Sequence, residues 1–228
     1  MKAVIFDFDG VIIDSERYWD REMDTFGFQH VPGWKAGDNA RLFTGRTRTG
    51  AYEVFCKEFG NIFTYAVFSA HMQEMQDHIH CENIQMLPGV QDLLMCLQKD
   101  GIPIGIGSSS SRTLIEKTLN TFSMRHFFTT ISPGNEVKPA EGKPAPTIYL
   151  KVARDLNIAP EECLVIEDSQ NGVRAAKAAK MTCIGLRNGC NHIQDLSEAD
   201  HILEGFIQVT TETLRTIYHR HQISSVCS

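Results

Sequence analysis

The chain has 228 residues, with 22 Lys or Arg against 28 Asp or Glu, so its formal net charge is −6. That length buries a sizeable core and allows one or two domains. The acidic balance, with a pI near 5.8, speaks against a phosphate-coating nucleic-acid binder, which carries a basic footprint.

No apolar run approaches the roughly 20 residues that span a bilayer, and Met1-Lys2-Ala3-Val4 enters a strand without a signal-peptide pattern. Seven scattered cysteines with no C-x-x-C pair read as reduced thiols. The expected setting is cytoplasmic, and the expected assembly a monomer or weak dimer.

Val4–Phe6 is a short apolar run, the mark of a strand buried on both faces. It ends in Asp7 and Asp9. Residues i and i+2 of an extended chain point the same way, so both acids enter one small volume, and Gly10 lets the backbone turn away steeply. Ser15 then caps a helix carrying Tyr18, Trp19, Met23 and Phe26 at helical spacing. Residues 38–48 form a polar loop with Gly45, Arg46 and Arg48. Residues 49–60 and 64–79 are helical, so the span 16–82 is a helical block with no strand of its own. Pro88-Gly89 opens a helix over 90–99. Strands are expected at 102–107, 127–131, 163–166 and 182–186, with a short one near 199–203. Helices are expected from Ser111-Arg112 to Leu119, at 144–156 and at 172–180. Residues 219–228 read as a frayed tail, with His219 and His221 inert. His78-x-His80 has a ligand-like spacing but no partner ligands. Strands alternating with helices imply βαβ units. The fold class is α/β: a Rossmann-like core (1–15 and 83–228), mostly parallel, with an α-helical cap (16–82) inserted.

Ligands of such sheets collect beyond the carboxyl ends of the strands. There stand Asp7 and Asp9, then Ser108, then Glu167 and Asp168, with Lys143 just before the helix after the third strand. Three or four carboxylates suit one hard cation such as Mg²⁺. A serine at a helix start and a lysine suit an anion. Cation, helix start and ammonium together suit a phosphoryl group. Asp7 would attack phosphorus to give an aspartyl-phosphate, with Asp9 as acid and then base.

The segments Asp7-x-Asp9-Gly10-Val11-x-x-Asp14-Ser15, Gly107-Ser108, Gly142-Lys143-Pro144-Ala145-Pro146 and Glu167-Asp168-Ser169-x-Asn171-Gly172 together resemble the haloacid dehalogenase superfamily, most closely its β-phosphoglucomutase-like phosphatase branch. The resemblance implies Asp7 as nucleophile and Asp9 as general acid/base. It implies Mg²⁺ held by Asp7, the Asp9 carbonyl and Asp168, with Glu167 close by, and Ser108, the Ser109 backbone and Lys143 as phosphate binders. Two features depart from the branch's sugar-phosphate mutases: Trp19 replaces a cap histidine, and no lysine lies between Lys57 and Lys99. Arg48 keeps its spacing from Gly45 as a cap arginine. Arg46 and Arg48 are balanced between a solvated face and substrate contact, and Trp19 between cap core and substrate shaping. The leading expectation is a Mg²⁺-dependent phosphatase of a small phosphorylated substrate. A β-phosphoglucomutase-type phosphomutase is the alternative, and a phospho-accepting signalling or binding module the non-enzymatic one.

Overall fold

The structure is a computed structural model that describes residues 1–81 and 84–226. Its core is one sheet of six strands: β1 (Ala3–Phe6), β2 (Ile104–Gly107), β3 (Thr130–Ser132), β4 (Cys163–Glu167), β5 (Thr182–Leu186) and β6 (His201–Leu203). The order is β3-β2-β1-β4-β5-β6 and every pairing is parallel. β1 is flanked by β2 on one side and β4 on the other, with Ile5 opposite both Gly105 and Val165. The strand order reverses there, so the carboxyl ends of β1, β2 and β4 surround one crevice.

The period-2 alternation of β1 sorts its side chains. Val4 and Phe6 join Leu93, Leu94 and Leu97 of α5 (Val90–Lys99), Ile115 and Leu119 of α6 (Arg112–Thr121), and Leu214 and Ile217 of α9 (Thr211–Val226). Ala3 and Ile5 face the other way, against Tyr149 and Val152 of α7 (Thr147–Leu156) and Val173 and Ala176 of α8 (Gln170–Ala178). Burial on both faces explains why these strands read as unbroken apolar runs.

Four helices lie between β1 and α5: α1 (Glu16–His30), α2 (Asp38–Leu42), α3 (Arg48–Phe59) and α4 (Tyr65–Cys81). They enclose their own apolar cluster of Met23, Phe26, Trp34, Phe43, Phe55, Phe68 and Met72. The chain leaves the core through Asp14 and returns through Gln85–Leu87. These two legs are hydrogen-bonded to each other: Asp14 N–H to Gln85 O at 2.9 Å and Leu87 N–H to Ile12 O at 3.0 Å, with Ile13 and Met86 bridged antiparallel. The expected cap boundary at 82–83 lies outside the described residues.

Several expectations need correction. The third strand is Thr130–Ser132; Arg125–Phe127 is a 3-10 turn instead. Phe127 and Phe128 are buried in the core all the same, and an apolar run alone does not separate strand from buried turn. The polar loop at 38–48 contains α2, which starts after Gly37 at φ 85°. The Ser15 hydroxyl makes no cap hydrogen bond. The tail is helical through Val226, and His221 Nδ1 stands 3.1 Å from Asp200 Oδ1. Cys227 and Ser228 lie outside the described residues. Among the described residues no helix is long and apolar enough to cross a membrane.

Candidate active site

Asp7 follows directly on β1, and its N–H is held by Ile166 O of β4 at 3.0 Å, so it continues the ladder. Lys143 comes from the loop before α7 and is buried between two acids. Its Nζ donates to Asp7 Oδ1 at 2.7 Å and to Glu167 Oε1 at 2.6 Å. Glu167, the last residue of β4, is fully buried and accepts three more hydrogen bonds. The Tyr149 hydroxyl donates to Oε1 at 2.7 Å, and the Ser169 N–H and hydroxyl each donate to Oε2 at 3.0 Å. The Tyr149 ring also lies under the ammonium, 4.9 Å from Nζ. Ser169 caps α8 as well, accepting from Gly172 N–H at 3.1 Å. A Cβ on Gly172 would collide with the Glu167 carboxyl group.

Two carboxylates share one ammonium here, out of water. Burial lifts Asp7 to about 7, with Glu167 and Asp9 adding to the rise and Lys143 opposing it. Burial pulls Lys143 down, but Asp7 and Glu167 outweigh it and hold the ammonium above its ordinary range. Burial likewise keeps the Tyr149 hydroxyl protonated, well above the usual phenol value.

Asp168 follows Glu167 directly beyond β4. Its Oδ2 accepts from Asn188 Nδ2 at 3.0 Å, and the same amide donates to Gly10 O at 2.8 Å. Asn191 Nδ2 donates to the Asp168 and Leu186 carbonyls. Gly10 has φ 73° and stands so close that a Cβ there would strike Asp168. Asp7, Glu167 and Asp168 each offer an oxygen, all within 4.8 Å of one another. This all-oxygen, anionic donor set fits a hard divalent cation.

Asp9 is held apart from that cluster. Ser15 donates to its Oδ1 at 2.8 Å and Ser110 to its Oδ2 at 2.6 Å. The Ser108 hydroxyl accepts from Ser110 N–H at 3.0 Å, closing the turn after β2. Among the described residues the Ser109 N–H meets no acceptor. The Ser109 hydroxyl reaches across to Gly45 O at 3.1 Å. Asn171 Nδ2 to Thr44 O at 3.0 Å and Gln194 Nε2 to Ala40 O at 2.7 Å add two further contacts from core to cap.

A cavity of about 540 Å³ lies between them. Asp7, Asp9, Ser108, Ser109, Lys143, Asp168, Trp19 and Arg48 all line it. Glu167 does not; it sits behind Lys143. Arg48 is oriented by Gln73 Oε1 at 3.0 Å and Gln76 Oε1 at 2.8 Å. His78 faces Glu22 at 3.3 Å, and the His80 side chain lies outside the described residues. Sequence reasoning missed Tyr149, Ser110, Ser169, Asn188 and Asn191. A signal existed for the asparagines, which follow β5 at the same carboxyl-end rim.

The haloacid dehalogenase-like hydrolase family model matches residues 4–186. The chain is 30% identical to a bifunctional riboflavin kinase/FMN phosphatase of Arabidopsis thaliana, with 92% of the chain aligned but only 55% of that longer protein. It is 30% identical to a β-phosphoglucomutase of Bacillus subtilis, covering 98% of each. The crystal structure of a β-phosphoglucomutase from Clostridium difficile superposes with a TM-score of 0.82 at 25% identity, covering 98% of this chain and 99% of that one. The chain belongs to the haloacid dehalogenase-like hydrolases, in the β-phosphoglucomutase-like branch, and is a phosphoric monoester hydrolase.

Proposed function

We propose that the protein hydrolyses a small phosphomonoester, such as a sugar phosphate, through an aspartyl-phosphate on Asp7. The observation that carries this reading is the Lys143 ammonium fixed between Asp7 and Glu167 at the rim where Asp9 and Ser108 face the same cavity. Asp7 Oδ attacks phosphorus while the bond to the ester oxygen breaks. Asp9 delivers its proton to that leaving oxygen, which departs as the alcohol. A water then attacks the acyl phosphate, Asp9 takes its proton, and the P–O bond to Asp7 breaks to release inorganic phosphate. Lys143, the Ser108 hydroxyl and the Ser109 N–H offset charge on the transferring group. Asp7 and Asp168, with Glu167 adjacent, would hold Mg²⁺, which when bound supplies positive charge that keeps Asp7 ionised and balances the phosphoryl oxygens. Ser15 and Ser110 hold Asp9 in place between the two proton transfers. The cap, residues 16–82, excludes water from the acyl phosphate.

Phosphate release over a panel of sugar phosphates, with and without Mg²⁺, tests the reading. Asp7→Asn should abolish turnover with the fold retained, and full residual activity would refute it. The 30% identity to a β-phosphoglucomutase favours a second reading, phosphomutase activity. Trp19 on the cavity wall and the lysine-free span 58–98 oppose it. Isomerisation of glucose 1-phosphate decides between them.

A further inference from the structure

The cavity has two unlike ends. Its floor at the strand ends is charged, with Asp7, Asp9, Asp168 and Lys143. Its cap side carries a run of apolar side chains. Trp19 and Met23 stand one turn apart on α1, Phe43 follows α2, Ala51 lies on α3, and Tyr65 and Met72 lie on α4. Polar groups line the cap side too, but neighbours within the cap take many of them. Arg48 donates to the Gln73 and Gln76 side-chain carbonyls. The Thr49 and Tyr65 hydroxyls meet at 3.2 Å, and Asn39 Nδ2 donates to Asp20 Oδ1 at 2.7 Å. A bare sugar seated here would surrender water at each hydroxyl for few partners, and a buried unpaired hydroxyl is costly.

The two tryptophans of the cap are used differently. Trp34 is buried in the cap core, and its indole N–H donates to Asp24 Oδ1 at 2.9 Å. Trp19 is half-buried, packs against that core and also lines the cavity. Among the described residues its indole N–H meets no acceptor. An indole offers a broad face for stacking and one donor at its edge. The Met23 and Met72 thioethers are soft and adapt to a flat ring. At about 540 Å³ the cavity has the size of sites that enclose whole small ligands, roughly 300–1,000 Å³, so there is room well beyond a phosphoryl group.

We propose that the preferred substrate is a phosphomonoester whose alcohol carries a planar heteroaromatic ring, seated on Trp19 between Met23 and Met72. The carbons joining that ring to the scissile oxygen span the cavity from cap to floor, and an acceptor on the ring answers the indole N–H. This rests on the phosphatase reading of Asp7 and adds a substrate class to it.

Two matched pairs of probes, equal in charge and in the primary alcohol released, test it in Mg²⁺ buffer. Ribose 5-phosphate and uridine 5′-monophosphate differ by a single pyrimidine ring. Ribitol 5-phosphate and flavin mononucleotide differ by a three-ring system. In at least one pair the wild type should favour the ring-bearing member in kcat/KM by about 5-fold or more, the lower worth of a base stacked on an aromatic side chain. The responding pair gives the size of the ring. Trp19→Ala should lower that ratio by at least the same factor. Wild-type ratios below about 5-fold in both pairs overturn the proposal, and so does a ratio that Trp19→Ala lowers by less than that. Where Trp19→Ala does not fold, the wild-type ratios decide alone. If no probe releases phosphate, the phosphatase reading has failed, and calorimetric Kd ratios for the same four compounds still judge the ring site by the same criteria.

Discussion

Tyr149→Phe isolates one hydrogen bond behind the Lys143 ammonium. Tyr149 is fully buried, and Gly107 makes room for its ring: a Cβ there would sit 2.9 Å from two ring carbons. Phenylalanine fills the same space and keeps the apolar face under Nζ, so only the hydroxyl, 2.7 Å from Glu167 Oε1, is lost. A hydrogen bond to a charged acceptor contributes roughly 1.5–3 kcal/mol. Glu167 keeps Lys143 and both Ser169 donors, so its charge is not stranded, and the lower end applies: about 1.5–2 kcal/mol. With a urea m-value of about 3 kcal/mol/M for a chain of this size, the midpoint falls by roughly 0.6 M. Urea titration followed by circular dichroism measures it. Under the proposed mechanism turnover should fall through kcat more than KM, because there the loosened ammonium offsets charge on the reacting phosphoryl group. A midpoint within about 0.1 M of wild type, with kcat unchanged, refutes the idea that the phenol helps fix Lys143.

Other outcomes follow from the same geometry. Gly172→Ala drives a methyl into the Glu167 carboxyl group; phosphate release should fall by at least about 10²-fold, and a crystal structure should show Lys143 displaced. Gln194→Ala removes the 2.7 Å tie to Ala40 O; hydrogen exchange at residues 39–43 should accelerate about 5-fold or more, since a single net hydrogen bond is worth about 1 kcal/mol. The Asp7 shift sets a pH dependence for the metal-free protein. Its folded pKa, about 7, lies above the ordinary carboxylate value of 3.8. The folded state thus binds the extra proton, and the stability this gives is fully present below about pH 4 and lost as pH rises through about 7. Urea midpoints should fall across that window in EDTA, and Asp7→Asn should flatten the fall.

Much of the core was open to sequence reading, for a specific reason. β1, β2, β4 and β5 are buried on both faces, so each is an unbroken apolar run, and the polar residues that terminate them mark the crevice. Asp7, Asp9, Ser108 and Asp168 were read that way, and all four line the cavity, as does Lys143 from the loop before α7. Side chains with two duties were not. Tyr149 lies on the apolar face of α7 and looks like plain core until its hydroxyl is seen on Glu167. Ser169 looks like a helix cap and is one, yet its proton goes to the same acid. Ser15 looks like a cap and is not, because Asp9 takes its hydroxyl. Asn188 and Asn191 follow β5 at the same rim, which marks their place, but their partners Gly10 and Asp168 lie twenty residues or more away in sequence, so no local pattern encodes what they hold.

The paired legs joining core and cap carry a mechanical consequence. Because Asp14 and Leu87 bind each leg to the other, neither strand swings alone, and tilting one drags its neighbour. Ser15 sits where the outgoing leg enters α1, with its hydroxyl on Asp9. The leg that carries the cap is thus tied directly to the Asp9 carboxylate at the strand end, so the seating of α1 and the placement of that acid hinge on one residue.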